Sequence, residues 1–183
     1  MPVTSANVLI GAATVSIADW VTNPGGASPT YADIGHTSAP VTLTSERENV
    51  DVEAETAFGV VQTRVIRQAY TLVVPYLEST VENMRAVLSQ AAAQKTGTTP
   101  NFTLAVIDPS TTVGDLYKIV KVVVPGLGTN GLATYTFWKC MPSAIEAIPF
   151  AKAEPQKYTV TFKVVRDDSN STANGYYFRR TDS

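Results

Sequence analysis

Residues 121–137 read KVVVPGLGTNGLATYTF, and two readings of that stretch lead to different folds. Gly126, Gly128 and Gly131 make the pattern G-x-G-x-x-G behind an apolar run. In a dinucleotide-binding unit such glycines let backbone N–H groups approach a pyrophosphate, and the helix that follows offers its N-terminus to the anion. That chemistry needs a strand before the glycines and a helix after them. The strand is present, because residues 116–124 are rich in β-branched side chains. The helix is not. Thr134, Tyr135, Thr136, Phe137 and Trp138 lose rotamer freedom in a helix and pack well in a sheet. Pro125 stops the first strand, and Asn130-Gly131 is a strong turn dipeptide. The stretch therefore predicts a β-hairpin with a glycine-rich loop.

Working outward, strand signals dominate. Tyr158, Val160, Phe162 and Val164 alternate with Thr159, Thr161 and Lys163, the period of a half-exposed strand. Residues 60–77 form a long strand in which Tyr70, Leu72, Val74 and Tyr76 share one face. Residues 7–18, 102–107, 116–124, 132–141, 145–150 and 176–178 complete the strand set, and the TYADIG stretch adds a short one. Turn pairs such as Asp108-Pro109, Glu154-Pro155 and Asn174-Gly175 separate several of them. Residues 20–40 and 45–59 read as long loops, and 166–183 as a polar, mobile tail, although Tyr176, Tyr177 and Phe178 could anchor it.

One segment, LESTVENMRAVLSQAAAQKTG, reads as a helix. Ser79 and Glu82 have capping-box spacing, and Val81, Met84, Leu88 and Ala91 recur at helical spacing as a core stripe. Lys95 suits the helix C-terminus, and Gly97 can end it. The expected fold is mainly β with one α-helix: an antiparallel β-sandwich or barrel with a flanking helix, as a single domain over residues 1–183.

Bulk composition limits the function. The 183-residue chain is 44% hydrophobic, enough for a real core. Only 16% of residues are charged, which points to a surface partly covered by partners. A net charge of −2 argues against a basic nucleic-acid-binding face. One cysteine, Cys140, allows no internal disulfide, and with the single His36 it excludes Cys/His zinc sites. The first twenty residues lack the basic start and long apolar run of a signal peptide or membrane anchor. The expectation is no membrane segment and assembly in a cytoplasm.

Candidate catalytic groups do not converge. Glu46, Glu48, Asp51, Glu53 and Glu55 form an acidic run, but acid–base work needs environments that separate two carboxyl pKa values, and runs of charge are more often solvated surface. The run lacks EF-hand spacing. His36 sits in a turn with no evident partner, and Cys140 at the end of an apolar strand reads as a small buried residue. No nucleophile, base and orienter assemble. The expectation is no enzyme, no cofactor and no metal.

The order of these elements carries a resemblance. A D-x-G-x-T turn at Asp33–Thr37 leads through V-x-L-x-x-E at Val41–Glu46 into the acidic V-x-V-E of Val50–Glu53. A long strand follows and closes on Leu77-Glu78-Ser79-Thr80-Val81-Glu82-Asn83-Met84. In motif detail over its first half, and in strand order over its second, the chain resembles the major tail tube proteins of long-tailed, siphophage-like bacteriophages. The resemblance implies a small sandwich or barrel with one flanking helix. It also implies rings, six subunits each, stacked into a hollow tube that conducts the genome in DNA ejection. The implied partners are further copies of the chain, the tail tip or baseplate initiator, the tape measure and the tail terminator, with transient, non-specific passage of DNA, in a virion tail.

On this reading the 45–59 loop reaches between rings. Ser45, Arg47, Asn49, Val50, Val52 and Phe58 are its contact candidates. The five acids face the lumen or pair between subunits with Arg64, Arg67 or Arg85. A tail terminator or completion adaptor, or a type VI secretion-like tube subunit, would share the fold. A carbohydrate-binding β-sandwich would instead gather exposed aromatics such as Trp20 and Trp138 around one pocket.

Overall fold

The computed structural model describes residues 13–35, 37–53, 60–77, 80–108, 113–125, 131–146 and 157–182. Ten strands and two short helices follow in order. They are β1 (Thr14–Asp19), β2 (Ala32–Asp33), β3 (Thr42–Glu53), β4 (Val60–Tyr76), α1 (Val81–Val87), β5 (Lys95–Thr98) and β6 (Asn101–Leu104). Then come α2 (Val113–Leu116, a single turn), β7 (Lys118–Pro125), β8 (Leu132–Ile145), β9 (Tyr158–Val164) and β10 (Phe178–Asp182). The fold is mainly β with one multi-turn helix, as the periodicity predicts.

The 121–137 stretch is a hairpin. β7 and β8 pair antiparallel from Lys118↔Cys140 to Pro125↔Leu132, and the chain after Gly131 is strand. No helix follows the glycines, so the phosphate-binding geometry is excluded there. Gly126 and Gly128 lie outside the described residues.

The main sheet runs β2-β1-β7-β8-β9-β4-β3 and is antiparallel at every pairing. β8 is long enough to serve two neighbours on one edge. Its residues 133–137 pair with β10 and its residues 140–145 with β9. The sheet curls, and the β2–β3 segment joins its ends. Ile34 N–H donates to Val15 O of β1, and Ser38 N–H donates to Pro75 O of β4, both at 3.1 Å. The core fills the resulting barrel: Val15 and Ile17 from β1, Leu72, Val74 and Tyr76 from β4, Val120 from β7, Phe137 from β8, and Val160 and Phe162 from β9. β9 and the second half of β4 bury every second side chain this way, as the strand period requires. Tyr76 and Tyr158 stack at 5.0 Å, and Cys140 is fully buried, its thiol pKa pushed up by desolvation.

Four expectations are corrected. First, 45–53 is strand rather than loop: β3 pairs with β4 along its whole length, with register shifts at Glu48/Asn49 and Val52/Glu53. Second, α1 is capped by Thr80, whose hydroxyl accepts from Asn83 N–H at 3.1 Å. Ser79 lies outside the described residues. The helix ends at Val87, and Lys95 and Gly97 belong to the β5–β6 hairpin. Its most buried residues are Asn83, Arg85, Ala86 and Val87, while Val81, Met84, Leu88 and Ala91 are half-buried. Third, strand β8 runs on to Ile145 through a register shift at Pro142/Ala144.

Fourth, residues 166–182 are held in place. β10 pairs with β8, Asp167 and Asn170 are buried, and Asp167 Oδ2 accepts from Trp20 Nε1 at 2.8 Å. Asn170 Oδ1 accepts from Gly25 N–H at 3.3 Å, so this segment also holds the Asn23–Gly25 turn. A side chain at Gly25 would collide with Asn170 and Asn174.

Charge seats the helix on the barrel. Asp19 at the end of β1 accepts from Lys118 Nζ at 2.7 Å and from Arg85 Nη2 at 3.2 Å. Arg85 also binds Glu82, and Lys95 Nζ meets Glu82 Oε2 at 2.8 Å. Burial by itself would raise the pKa of Glu82. Hydrogen bonds and charge from Arg85 and Lys95 outweigh it and hold the carboxyl below its ordinary value. A carboxyl held down adds stability above its ordinary pKa and loses it as pH falls through the folded value. Thermal melts from about pH 5 to pH 3 should therefore fall more steeply for the parent than for Glu82→Gln. Parallel curves would show that this contact adds nothing.

Candidate assembly surface

β9 meets β4 only from Tyr70 to Tyr76. Before Tyr70, β4 has only β3 beside it among the described residues, so residues 46–53 and 60–69 form a two-stranded ribbon there. At about 3.3 Å per residue its β4 arm is about 30 Å long. Residues 42–52 of β3 and 62–67 of β4 are all exposed. Such a ribbon cannot draw stability from a core beneath it, and a two-stranded ribbon alone is marginal in water. The outer edge of β3 has no strand beside it among the described residues, which leaves its outward N–H and C=O groups available to another chain.

The ribbon carries apolar side chains where solvent would favour polar ones. Val50 is 45% exposed, Val52 42%, Val65 56% and Ile66 58%. Val50 and Val52 share one face of the ribbon and Val65 lies on the other, and exposed apolar side chains on a long arm mark contact surfaces. A second exposed apolar group, Phe102, Val106, Ile107 and Val113, lies in and after the β5–β6 hairpin and on α2.

The sequence candidates fall on this ribbon. Ser45, Glu46, Arg47, Glu48, Asn49, Val50, Asp51 and Val52 are exposed on β3. Glu46 lies opposite Ala69, Glu48 opposite Arg67 and Asn49 opposite Val65. Asp51 accepts from Thr63 Oγ1 at 2.6 Å. Glu53 pairs with Val60 at the far end. Glu55, Phe58 and His36 lie outside the described residues. Of the cations proposed as acid partners, Arg64 donates to Gln62 and Arg85 is taken by Glu82 and Asp19. Only Arg67 stands across from one of the acidic candidates.

Sequence reasoning missed an apolar cleft of about 240 Å³ at the base of the ribbon. Val41 and Leu43 of the β3 segment, Leu72 of β4, Val122 and Val124 of β7, and Phe137 of β8 line it. The alternation Val41, Leu43 marks the β3 side in sequence, but the opposite wall comes from strands eighty residues later.

The two tryptophans do meet in space, but as packing. Trp138 is buried with Ala18 and Ile119, Trp20 packs against that group, and both indole N–H groups are hydrogen-bonded, to Asn174 O and Asp167. They form no open sugar-binding platform. Among the described residues no three His, Cys, Asp or Glu side chains converge in a way that could hold a metal, and no helix is long and apolar enough to cross a membrane.

No family model and no curated protein matches the chain. Among solved structures it aligns with a chain of the anti-feeding prophage (AFP) baseplate, determined by cryo-electron microscopy with 6-fold symmetry imposed. That alignment has 11% identity, 97% coverage of both chains and a TM-score of 0.44. It also aligns with a chain of the phage P2 baseplate in its activated conformation with Ca, at 8% identity and a TM-score of 0.39, over 86% of this chain and 45% of that one.

Proposed function

We propose that this protein is a structural, non-catalytic subunit that assembles with copies of itself into stacked rings, forming the hollow tail tube of a bacteriophage through which DNA passes. The observation that carries the reading is the β3–β4 ribbon. It is a long arm with an open strand edge and two exposed valines toward its far end, mounted on a barrel whose buried core takes none of the arm's described side chains. A monomer gains nothing from such an arm, whereas an assembly buries it. Head-to-tail contacts between one patch and a different patch extend into rings or filaments. The ordered motifs at Asp33–Thr37, Val41–Glu46 and Val50–Glu53 supply the tail tube resemblance.

Six copies per ring and lumen-facing acids belong to the same proposal. Glu46, Glu48 and Asp51 would present negative charge, which releases no counterions from DNA and so lets it slide. The neighbours at the tube ends would be a tip initiator, a tape measure and a terminator, in a virion tail assembled in the host cytoplasm. Light scattering across a concentration series tests the reading. The expected mass climbs from the 19.6 kDa chain to ring multiples and beyond. A mass fixed at one chain throughout would contradict it.

A further inference from the structure

We propose that Val50 and Val52, toward the far end of one copy's β3–β4 ribbon, seat in the apolar cleft at the base of the next copy's ribbon. The inference rests on the self-assembly reading and names its contact.

The two valines and the cleft are complementary in chemistry. Val50 and Val52 are apolar side chains held out in solvent on the same face of β3. The cleft is an open space walled by Val41, Leu43, Leu72, Val122, Val124 and Phe137. It is also the right size. Apolar cavities of about 150 Å³ accept a benzene-sized group, and this one, at about 240 Å³, has room for one or two branched aliphatic side chains. Both surfaces are unfavourable in water, and each would remove the other's exposed apolar area.

The contact must be made between chains. Leu43, on the cleft wall, and Val50, toward the far end, lie on the same strand. Seven residues of extended chain separate them by about 23 Å. The strand between them is paired residue by residue with β4 from Thr42↔Val73 to Val52↔Gln62, so the far end cannot fold back on its own base. A knob at one end of an element and its socket at the other generate a heterologous contact, which repeats from copy to copy.

Site-specific cross-linking tests this. Two variants of the full chain, Leu43→Cys and Val50→Cys, are prepared with one carrying a size tag, mixed in equal amounts under assembly conditions and mildly oxidised. Cys140 is fully buried and stays as an internal control. The expected product is the mixed 43–50 dimer, several-fold above either like–like dimer, because a disulfide forms only where the Cα atoms approach within about 7 Å. No mixed product, or one no more abundant than the like–like dimers, would overturn the contact. That would also be the result if residues 1–12 or another protein filled the cleft.

Val50→Asp and Val52→Asp supply a second readout. Both positions are exposed, so the melting temperature should be unchanged, while the concentration needed for assembly rises at least tenfold. Assembly of these variants at the parent's concentration would overturn the contact and leave the self-assembly reading standing. A parent that never self-associates would overturn both.

Discussion

Deletion of residues 50–57 is expected to abolish the proposed tube growth and to leave a subunit that melts within about 2 °C of the parent, the range of surface changes that touch no core contact. The expectation follows from where the ribbon's contacts lie. None of its described side chains beyond Tyr70 belongs to either buried cluster, and the barrel pairings of β4 begin only at Tyr70. The deletion shortens the arm and removes Val50 and Val52 while leaving Leu43, Leu72 and the β4–β9 ladder in place. Circular dichroism melts and sedimentation velocity on the same preparation separate the two effects. Tubes that still form from the shortened chain would sink the arm's role in assembly. A large fall in melting temperature would show that the ribbon supports the barrel.

Asp19→Ala has the opposite profile, a large loss of stability. Lys118 is fully buried, and its Nζ lies 2.7 Å from Asp19 Oδ1. Arg85, nearly buried on α1, shares the same carboxylate at 3.2 Å. Removing the carboxylate withdraws one anion from two desolvated cations and unties the helix from the end of β1. Breaking a buried ion pair from one side typically costs about 3–5 kcal/mol, and the partial exposure of Asp19 places this case near the lower end. For a chain of this length, about 3 kcal/mol corresponds to a drop of about 6–12 °C in melting temperature. Asp182→Ala, which breaks only the exposed pair with Arg180, is the control and should change stability by less than about 0.5 kcal/mol. Equal, small effects from the two substitutions would show that the Asp19 cluster is no more stabilising than a surface pair.

The parts of the fold that the sequence announces are those where burial has a period. In β9 and in the Tyr70–Tyr76 half of β4, every second residue enters the core, so alternation marks both strands. The hairpin at 121–137 is announced by its β-branched and aromatic run. The ribbon is hidden for the complementary reason. Residues 45–52 are wet on both faces, so apolar alternation is confined to Val50 and Val52, and the polarity of the rest reads as loop. Only the residue-by-residue pairing with β4 makes it a strand, and that is a long-range fact.

The helix cap went to Thr80 instead of Ser79 because two adjacent hydroxyls offer the same chemistry in sequence. Glu82 is drawn to Arg85 and Lys95, thirteen residues away in the latter case. The ordered C-terminal segment rests on contacts such as Trp20–Asp167, 147 residues apart, which local composition cannot reveal. Val50 and Val52 are contact candidates in the sequence, and the structure leaves both exposed on β3. The cleft was not legible, since its walls come from four separate strands and no local pattern marks an empty space.

Negative-stain electron microscopy of the purified chain at rising concentration tests the central claim most directly. The account predicts end-on views of rings with an open centre and side views of stacked rings forming hollow tubes. Compact particles of single-chain size at every concentration, with neither rings nor tubes, would contradict it.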